Sequence, residues 1–185
     1  MSREGLSSPD HTREDPQSDW RTLAKDLGGL LGFLAASLTV AAIAAFATLS
    51  SVNGWYAAAE KTLWNPPHEM FGPLWGVLYT LMALAGWLVW RQPESAQRRR
   101  ALGLFFGQLA LNAAWTPLFF VLYEYAGGIA LWLALGWIVL LDFVVLAAVI
   151  VLWPVQRFAS VLLVPYWVWL LFATALNASI AVMNA

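Results

Sequence analysis

The stretch Trp64-Asn-Pro-Pro-His-Glu-Met-Phe-Gly-Pro-Leu-Trp-Gly-Val-Leu-Tyr79 joins a proline-stiffened loop directly to the start of an apolar helix. The two adjacent prolines hold the backbone extended, because each fixes its own φ and the second also restricts the residue before it. We expect Pro73 to lie within the first turn of the helix, where a missing N–H costs little. The stretch therefore predicts a shaped lid, followed by a helix that carries Trp75 and Tyr79 inward.

The composition is typical of a membrane protein. The chain is 61% hydrophobic and 11% charged, and its mean hydropathy is +0.65, whereas a soluble domain carries roughly 25% charged residues. No Asp, Glu, Lys or Arg occurs within residues 27–59, 70–90 or 101–123. Each of these ranges is long enough to cross a bilayer, which takes about 20 residues. The sequence therefore predicts an integral membrane protein.

Five apolar segments predict an all-α bundle of five transmembrane helices. The segments cover residues 27–49, 70–90, 101–122, 127–152 and 158–182, with ends uncertain by a few residues. Residues 1–26 are polar and carry both charge signs, so we expect a disordered tail there and a transmembrane domain over 27–185. The longest connection, residues 50–69, is called the lid here. Its tryptophans and prolines favour an ordered structure.

The distribution of basic residues predicts the orientation of the bundle. With five spans, nine of the ten Lys and Arg residues fall on the side of the N-terminal tail, and the other side holds only Lys61. The positive-inside rule then places the tail in the cytoplasm, and the lid and the C-terminus on the opposite face. This pattern favours a bacterial cytoplasmic membrane, with an outer membrane as the alternative.

Several of the twelve tryptophans indicate a binding site. Interfacial belts and lipid-facing packing explain roughly half of them. Trp75, Trp115 and Trp169 differ, because each lies beside Pro, Asn or Tyr within a span. Prolines inside spans bend helices and open space between them. Large flat side chains around such a space suit a large flat apolar ligand.

Two amides and one carboxyl within the spans are candidates for a polar role. Asn112 and Asn177 should face the bundle, either in interhelical hydrogen bonds or in ligand contacts. Asp142 is the only acidic residue inside a span. A neutral, hydrogen-bonded carboxyl is the favoured interpretation of Asp142, and a site for proton-coupled transport is the alternative.

Small residues at helical spacing mark two possible helix contacts. Gly103-x-x-x-Gly107 in the third span continues through Ala110 and Ala114, and Gly28-x-x-x-Gly32-x-x-x-Ala36 lies in the first span. Small residues let another helix approach closely. Either motif could form a dimer interface or a contact within the chain.

Other site classes find no support in the residues. The chain has no cysteine and only two histidines, so we expect no metal site. It has no Gly-rich phosphate loop, no His-Glu-x-x-His and no nucleophile elbow. No acid–base pair supports hydrolytic chemistry, and we expect no nucleic-acid partner.

Several motifs occur in a recognisable order. They are Trp55-Tyr56, Lys61, Trp64 and Pro66-Pro67 in the lid, Phe71-Gly-Pro-Leu-Trp75 and Leu78-Tyr79 in the second span, Gly107-Gln-Leu-Ala-Leu-Asn-Ala-Ala-Trp-Thr-Pro-Leu-Phe-Phe120 in the third, and Pro165-Tyr166, Trp169 and Phe172-Ala-Thr-Ala-Leu-Asn177 in the fifth. Together they resemble the TspO/translocator-protein family, also called the peripheral benzodiazepine receptor family. The resemblance covers residues 30–184.

The resemblance implies a five-helix bundle with a pocket under the first loop. It implies binding of porphyrins such as protoporphyrin IX and haem, and in some members of sterols and benzodiazepine-type drugs, with no cofactor required. By position, the family's pocket residues correspond to Trp75, Tyr79, Asn112, Trp169, Ala173 and Leu176. With Trp64 and Trp115 they form the predicted ligand site. Homodimers through the third span in bacterial members imply a dimer interface at Gly103, Gly107, Ala110 and Ala114.

Two departures from the family pattern change the expectations. Thr62 stands where a proline usually follows the lysine, which implies a looser lid. The chain ends in residues 177–185 without the aromatic and basic pair of the animal sterol motif. That absence makes sterol binding a less favoured main role, although the motif is itself weak evidence. Asp142 does not belong to the family pattern.

Three functions follow as hypotheses. The first is a membrane protein that captures tetrapyrroles and senses, buffers or moves them. The second is light-dependent oxidative breakdown of a bound porphyrin at Trp75 and Trp169, and this enzymatic role is less favoured than binding. The third is a small proton-coupled transporter that uses Asp142, which ranks last because no charged partner accompanies that carboxylate.

Overall fold

Five long helices and two short ones make up the computed structural model, which describes residues 16–185 except for the side chains of residues 16–19, Ser50 and His68. The helices are α1 (Pro16–Val52), α2 (Trp55–Ala58), α3 (His68–Trp90), α4 (Ala96–Phe120), α5 (Tyr123–Ala126), α6 (Gly128–Leu152) and α7 (Arg157–Asn184).

The five long helices each have the length and apolar composition needed to cross a membrane. They are α1, α3, α4, α6 and α7, and they confirm the five segments predicted from the sequence. A helix satisfies its own backbone N–H and C=O groups, which hydrocarbon cannot do. The chain is therefore an all-α integral membrane protein that crosses the bilayer several times.

The first helix begins earlier than the sequence predicted. Because α1 starts at Pro16, the expectation of disorder is wrong for residues 16–26, and residues 1–15 lie outside the described part of the chain. A proline at the first helical position costs little, because that N–H has no partner within the helix. The Asp26 carboxylate then pairs with Arg91 at 2.9 Å, and Trp87 Nε1 donates to the Asp26 carbonyl at 2.9 Å. These contacts hold the early turns of α1 against the end of α3.

The start of α3 is set by the proline pair of the lid. Pro67 is the N-cap residue, with an extended ψ of 140°, and the residue before a proline also avoids the helical region. Since the helix begins at His68, Pro73 lies in its second turn, and the prediction of a first-turn position is wrong. Pro73 therefore cannot donate a hydrogen bond to the turn before it.

The helices pack closely at the end of the bundle away from the lid, called here the closed end. A Cβ on Gly86 of α3 would lie 2.7 Å from ring atoms of both Phe33 on α1 and Phe105 on α4. These two rings meet edge to face, with centroids 5.3 Å apart. Likewise, a Cβ on Gly29 of α1 would overlap the ring of Trp90 on α3. The glycines therefore let aromatic rings join three helices.

The lid is an ordered connection tied to two other parts of the chain. Trp55 Nε1 donates to the Phe120 carbonyl at 2.9 Å, and its ring stacks on Tyr123 with centroids 3.8 Å apart. The Glu60 N–H donates to Asn184 Oδ1 at 2.8 Å, and Asn184 Nδ2 donates back to the Glu60 carbonyl at 3.0 Å. The lid is thus attached to the end of α4 and to the last turn of α7.

Candidate ligand pocket

A cavity of about 450 Å³ lies between α1, α3, α4 and α7 at the lid end of the bundle. Its lining residues are Ala41, Ala44, Ala45, Thr48, Val52, Tyr56, Phe71, Gly72, Trp75, Gly76, Tyr79, Trp115, Thr116, Phe119, Phe120, Trp169, Ala173, Leu176, Asn177 and Ile180. None of these described lining residues is charged. Within the described chain there is also no cluster of three or more His, Asp or Glu side chains that could hold a metal ion. The arrangement suits an apolar ligand.

Aromatic residues at helical spacing form much of the wall. Trp75 and Tyr79 lie one turn apart on α3, with ring centroids 5.4 Å apart. Trp115 and Phe119 lie one turn apart on α4, with centroids 5.7 Å apart, and residues at this spacing share a helix face. Trp169 adds an indole from α7. Three helices therefore each present an indole ring to one space, which favours a flat aromatic ligand.

A buried chain of hydrogen bonds supports the cavity wall at Tyr79. The Tyr79 hydroxyl donates to Asn112 Oδ1 at 3.0 Å, and Asn112 Nδ2 donates to the Tyr166 hydroxyl at 2.7 Å. All three side chains are buried, and Asn112 does not line the cavity. The geometry fits the interpretation of Asn112 as an interhelical hydrogen-bonding residue, and its contact with a ligand stays a prediction.

Asn177 holds a second cavity residue in place. Trp115 Nε1 donates to Asn177 Oδ1 at 3.3 Å, and Asn177 Nδ2 donates to the Leu131 carbonyl at 3.1 Å. The amide therefore connects α4, α6 and α7. Because the indole N–H of Trp115 is already bonded, this ring offers a ligand its apolar surface.

The predicted site residues divide into two groups by position. Trp75, Tyr79, Trp115, Trp169, Ala173 and Leu176 line the cavity, whereas Trp64 and Asn112 do not. Trp64 is half-exposed and packs its edge against Phe172 at a centroid distance of 5.6 Å. Phe172 in turn packs on Trp169 at 5.2 Å. Trp64 is therefore connected to the cavity only through other rings, and ligand binding at Trp64 stays a prediction.

One wall of the cavity consists of small residues that the sequence reasoning missed. They are Ala41, Ala44, Ala45 and Thr48 on α1, with Gly72 and Gly76 on α3. The α1 residues follow the i, i+3, i+4, i+7 spacing of a single helix face. That spacing was a readable signal, but a face of small side chains is equally consistent with close helix contact.

The lid contributes one ring and one cation near the cavity. The Tyr56 ring lines the cavity, and Lys61 Nζ lies 4.7 Å from the centroid of this ring. Burial raises the pKa of the Tyr56 hydroxyl, and its hydrogen bond with Asn65 opposes that rise. Partial loss of hydration lowers the pKa of the Lys61 ammonium.

Asp142 lies outside the cavity, in a buried polar region of the bundle. Thr174 Oγ1 donates to Asp142 Oδ2 at 2.7 Å, whereas Asp142 Oδ1 has no partner among the described residues. Gln108 on α4 is fully buried, and neither of its side-chain polar atoms has a partner in the described chain. Buried polar side chains therefore occur outside the cavity on α4, α6 and α7.

The predicted dimer residues lie on one side of α4. Gly103, Gly107 and Ala110 are exposed and Ala114 is half-buried. A Cβ at Gly103 or Gly107 would have no neighbour within 4 Å. The same holds for the two glycines of the α1 motif, at positions 28 and 32. In the described chain, the glycines of the two motifs are therefore not closely packed against another helix.

The fold and the pocket define a class of protein: a multi-pass helical membrane protein with an aromatic cavity beneath an ordered lid. The sequence model of the TspO/MBR family matches residues 33–183 of this chain. The chain belongs to the TspO/MBR family, and the expected resemblance is confirmed.

Three relatives show how far the similarity extends. The translocator protein of Homo sapiens is 39% identical over 125 residues, which cover 66% of this chain and 70% of the human protein. The tryptophan-rich protein TspO of Archaeoglobus fulgidus is 35% identical over 156 residues, or 84% of this chain and 97% of the relative. The tryptophan-rich sensory protein of Cereibacter sphaeroides is 35% identical over 147 residues, or 80% and 85%.

Proposed function

We propose that this protein binds tetrapyrroles such as protoporphyrin IX and haem in the cavity, with a regulatory or transport role in tetrapyrrole metabolism. The observation that carries the proposal is an uncharged cavity of about 450 Å³ to which three helices each present an indole. Ligand pockets commonly measure roughly 300–1,000 Å³ and are mostly apolar. The names of two relatives, translocator protein and tryptophan-rich sensory protein, agree with transport or sensing.

Tryptophan fluorescence titrated with protoporphyrin IX in the dark tests the proposal. We expect saturable quenching at micromolar or lower ligand concentration. Trp75→Ala and Trp169→Ala should each weaken binding about tenfold, because each removes ring contacts worth ~1.4 kcal/mol. The matched control is Trp132→Ala, which removes an exposed indole on α6 away from the cavity and should leave affinity unchanged.

Two results would count against the proposed site. Quenching that rises linearly with added porphyrin would indicate partitioning into detergent rather than binding. Saturable binding with the same affinity in Trp75→Ala and Trp169→Ala would place the ligand elsewhere on the protein.

Light-dependent oxidative breakdown of a bound porphyrin is a second candidate function. The observation that favours it is that Trp75 and Trp169 both line the cavity, and that Trp169 Nε1 has no hydrogen-bond partner in the described chain. Dioxygen would be the oxidant, and the excited macrocycle would lose electrons to it beside the indoles. Under illumination, Trp75→Phe and Trp169→Phe should bleach porphyrin more slowly than the wild type. Equal rates at equal occupancy would eliminate the catalytic role.

Proton-coupled transport is a third candidate. The observation that favours it is that Asp142 is a buried carboxyl whose Oδ1 has no partner among the described residues. Asp142→Asn keeps an acceptor oxygen for Thr174 but cannot lose a proton. In vesicles with a pH gradient, this variant should lose gradient-driven porphyrin uptake and keep porphyrin binding. Unchanged uptake would remove Asp142 from the mechanism.

The orientation and the assembly are parts of the same proposal. We propose a bacterial cytoplasmic membrane, an N-terminus inside, and a homodimer through the exposed α4 residues Gly103 and Gly107. Sterols and benzodiazepine-type drugs are further candidate ligands.

Because the chain has no cysteine, a single cysteine at exposed Gln97 or Asn53 reports the side of the membrane on which it lies. Labelling of Gln97→Cys from outside intact cells would reverse the assigned orientation.

A further inference from the structure

A single ammonium group lies near the cavity at the lid end. Lys61 is the only Lys or Arg between Lys25 and Arg91, and neither residues 101–156 nor residues 158–185 contain another. Its Nζ lies 4.7 Å from the centroid of Tyr56, whose ring lines the cavity. We call the part of the cavity edge beside Tyr56 and Lys61 the rim. An anionic group at the rim would therefore lie near one basic side chain.

Among the residues that the structure describes, this ammonium contacts only neutral groups. Lys61 Nζ donates to the Ala59 carbonyl at 3.0 Å and, at a longer 3.4 Å, to the Ala57 carbonyl. No described carboxylate forms an ion pair with it, and the nearest acidic residue along the chain, Glu60, engages Asn184 through its backbone. A positive charge that has lost part of its water and has no counter-charge gains from an arriving carboxylate.

The cavity itself offers nothing to a charged group. Its described lining carries no charge, and burying an unpaired carboxylate there would be strongly unfavourable. A ligand with an anionic edge must therefore bind with its apolar body inside and its charged edge at the rim. The long, flexible stem of a lysine can reach such an edge without moving the backbone.

We propose that Lys61 is the anion-binding residue of the pocket, and that the ligand is an amphiphile with a flat apolar body in the cavity and a carboxylate paired with Lys61 at the rim. The inference rests on the proposed tetrapyrrole-binding function and adds a rule of ligand selection. Among ligands with the same macrocycle, those with free carboxylates bind more tightly than those whose carboxylates are esterified.

The test compares protoporphyrin IX with its dimethyl ester, which has the same macrocycle and no charge. Affinities are measured by tryptophan quenching in a neutral detergent, in the dark, for the wild type, Lys61→Met and Lys61→Arg. Lys61→Met should bind the free acid roughly 3- to 10-fold more weakly and the ester unchanged, and Lys61→Arg should keep the preference for the acid. Comparing the acid-to-ester ratio between proteins cancels the different partitioning of the two ligands into detergent.

Salt dependence gives a second readout that needs no variant. The wild type's preference for the free acid should shrink as salt is raised, because salt screens a partly exposed ion pair, while its affinity for the ester stays constant. An equal loss of both ligands in Lys61→Met, together with a preference that salt does not change, would overturn the proposal. That pattern would mean that Lys61 only shapes the lid.

The remaining outcomes separate this inference from the function on which it rests. If neither ligand binds the wild type saturably, the proposed function fails. If both bind saturably with no acid preference, the pocket stands and Lys61 is not its anion-binding residue. A Lys61 effect that appears only in vesicles containing phosphatidylglycerol, and not in detergent, would assign the contact to a lipid phosphate and overturn the proposal.

Discussion

The closed end and the lid end of this bundle use small residues in opposite ways. At the closed end, the rings of Phe33 and Phe105 occupy the space beside Gly86 where a side chain would otherwise lie. At the lid end of the same helix, Gly76 faces the cavity, and a Cβ there would meet nothing within 4 Å. On the same helix, Gly86 therefore allows close packing of aromatic rings, whereas Gly76 borders an open cavity.

The difference shows that a small residue does not by itself define a helix contact. Close packing needs a partner side chain that fills the vacated volume, and the closed end supplies two aromatic rings. At the lid end, the neighbouring residues Ala41, Ala44 and Ala45 of α1 are also small. Where both facing surfaces are small and the helices stay apart, a cavity results.

The largest expected effect is at the closed end. Gly86→Ala would place a Cβ 2.7 Å from ring atoms of Phe33 and Phe105, so we expect a loss of about 1–3 kcal/mol in stability from overpacking. Thermal unfolding in detergent measures it. The matched control is Gly76→Ala on the same helix, which should change stability by less than ~0.5 kcal/mol. Equal Tm shifts in the two variants would remove the contrast between the two ends.

Filling the cavity should weaken porphyrin binding without harming the fold. Ala44→Phe introduces a ring into the wall of the cavity, and we expect at least about a tenfold loss of protoporphyrin IX affinity with no fall in Tm. The control Ala42→Phe adds the same ring at an exposed position of α1 that does not line the cavity. Weakening of the same size in both variants would point to a general effect of bulk on α1 rather than to this cavity.

A smaller effect is expected at the polar support of the cavity. Asn112→Ala would leave the buried hydroxyls of Tyr79 and Tyr166 without their shared partner, at a cost of about 1 kcal/mol. Tyr79→Phe removes one of these bonds. Measured in a double-mutant cycle by thermal unfolding, the two substitutions should be less than additive. Full additivity would mean that the two side chains do not interact.

The smallest effect concerns the attachment of the lid. Asn184→Ala removes two hydrogen bonds to the Glu60 backbone and should cost about 0.5 kcal/mol. Amide hydrogen exchange at Glu60 should then rise about two- to threefold. Ser179→Ala is the control, because Ser179 bonds only within its own helix, to Leu176. A Glu60 amide that exchanges equally fast in both variants would show that Asn184 does not hold the lid.

The sequence predicted the features that single segments encode. Long apolar segments located the five spans, since only long apolar helices fit the hydrocarbon core. The stretch from Trp64 to Tyr79 predicted a helix that carries Trp75 and Tyr79 inward, and both line the cavity. The proline pair predicted where the lid gives way to α3, because its effect is local.

Features that depend on how two or more segments pack together could not be predicted from the sequence. The small face of α1 becomes a cavity wall only because α3 stays apart from it at that level. Asn112 supports Tyr79 rather than lining the cavity, which follows from the position of Tyr166 on a third helix. The contacts of Asp26 with Arg91 and Trp87 join residues that lie far apart along the chain, so the sequence did not predict them.

The most direct test of the central claim is an experimental structure of the protein with bound protoporphyrin IX. We expect density for the macrocycle in the cavity, in contact with Trp75 and Trp169 and below the lid, with a carboxylate directed toward Lys61. A macrocycle bound on the outer surface of the helices, with the cavity unoccupied, would contradict it.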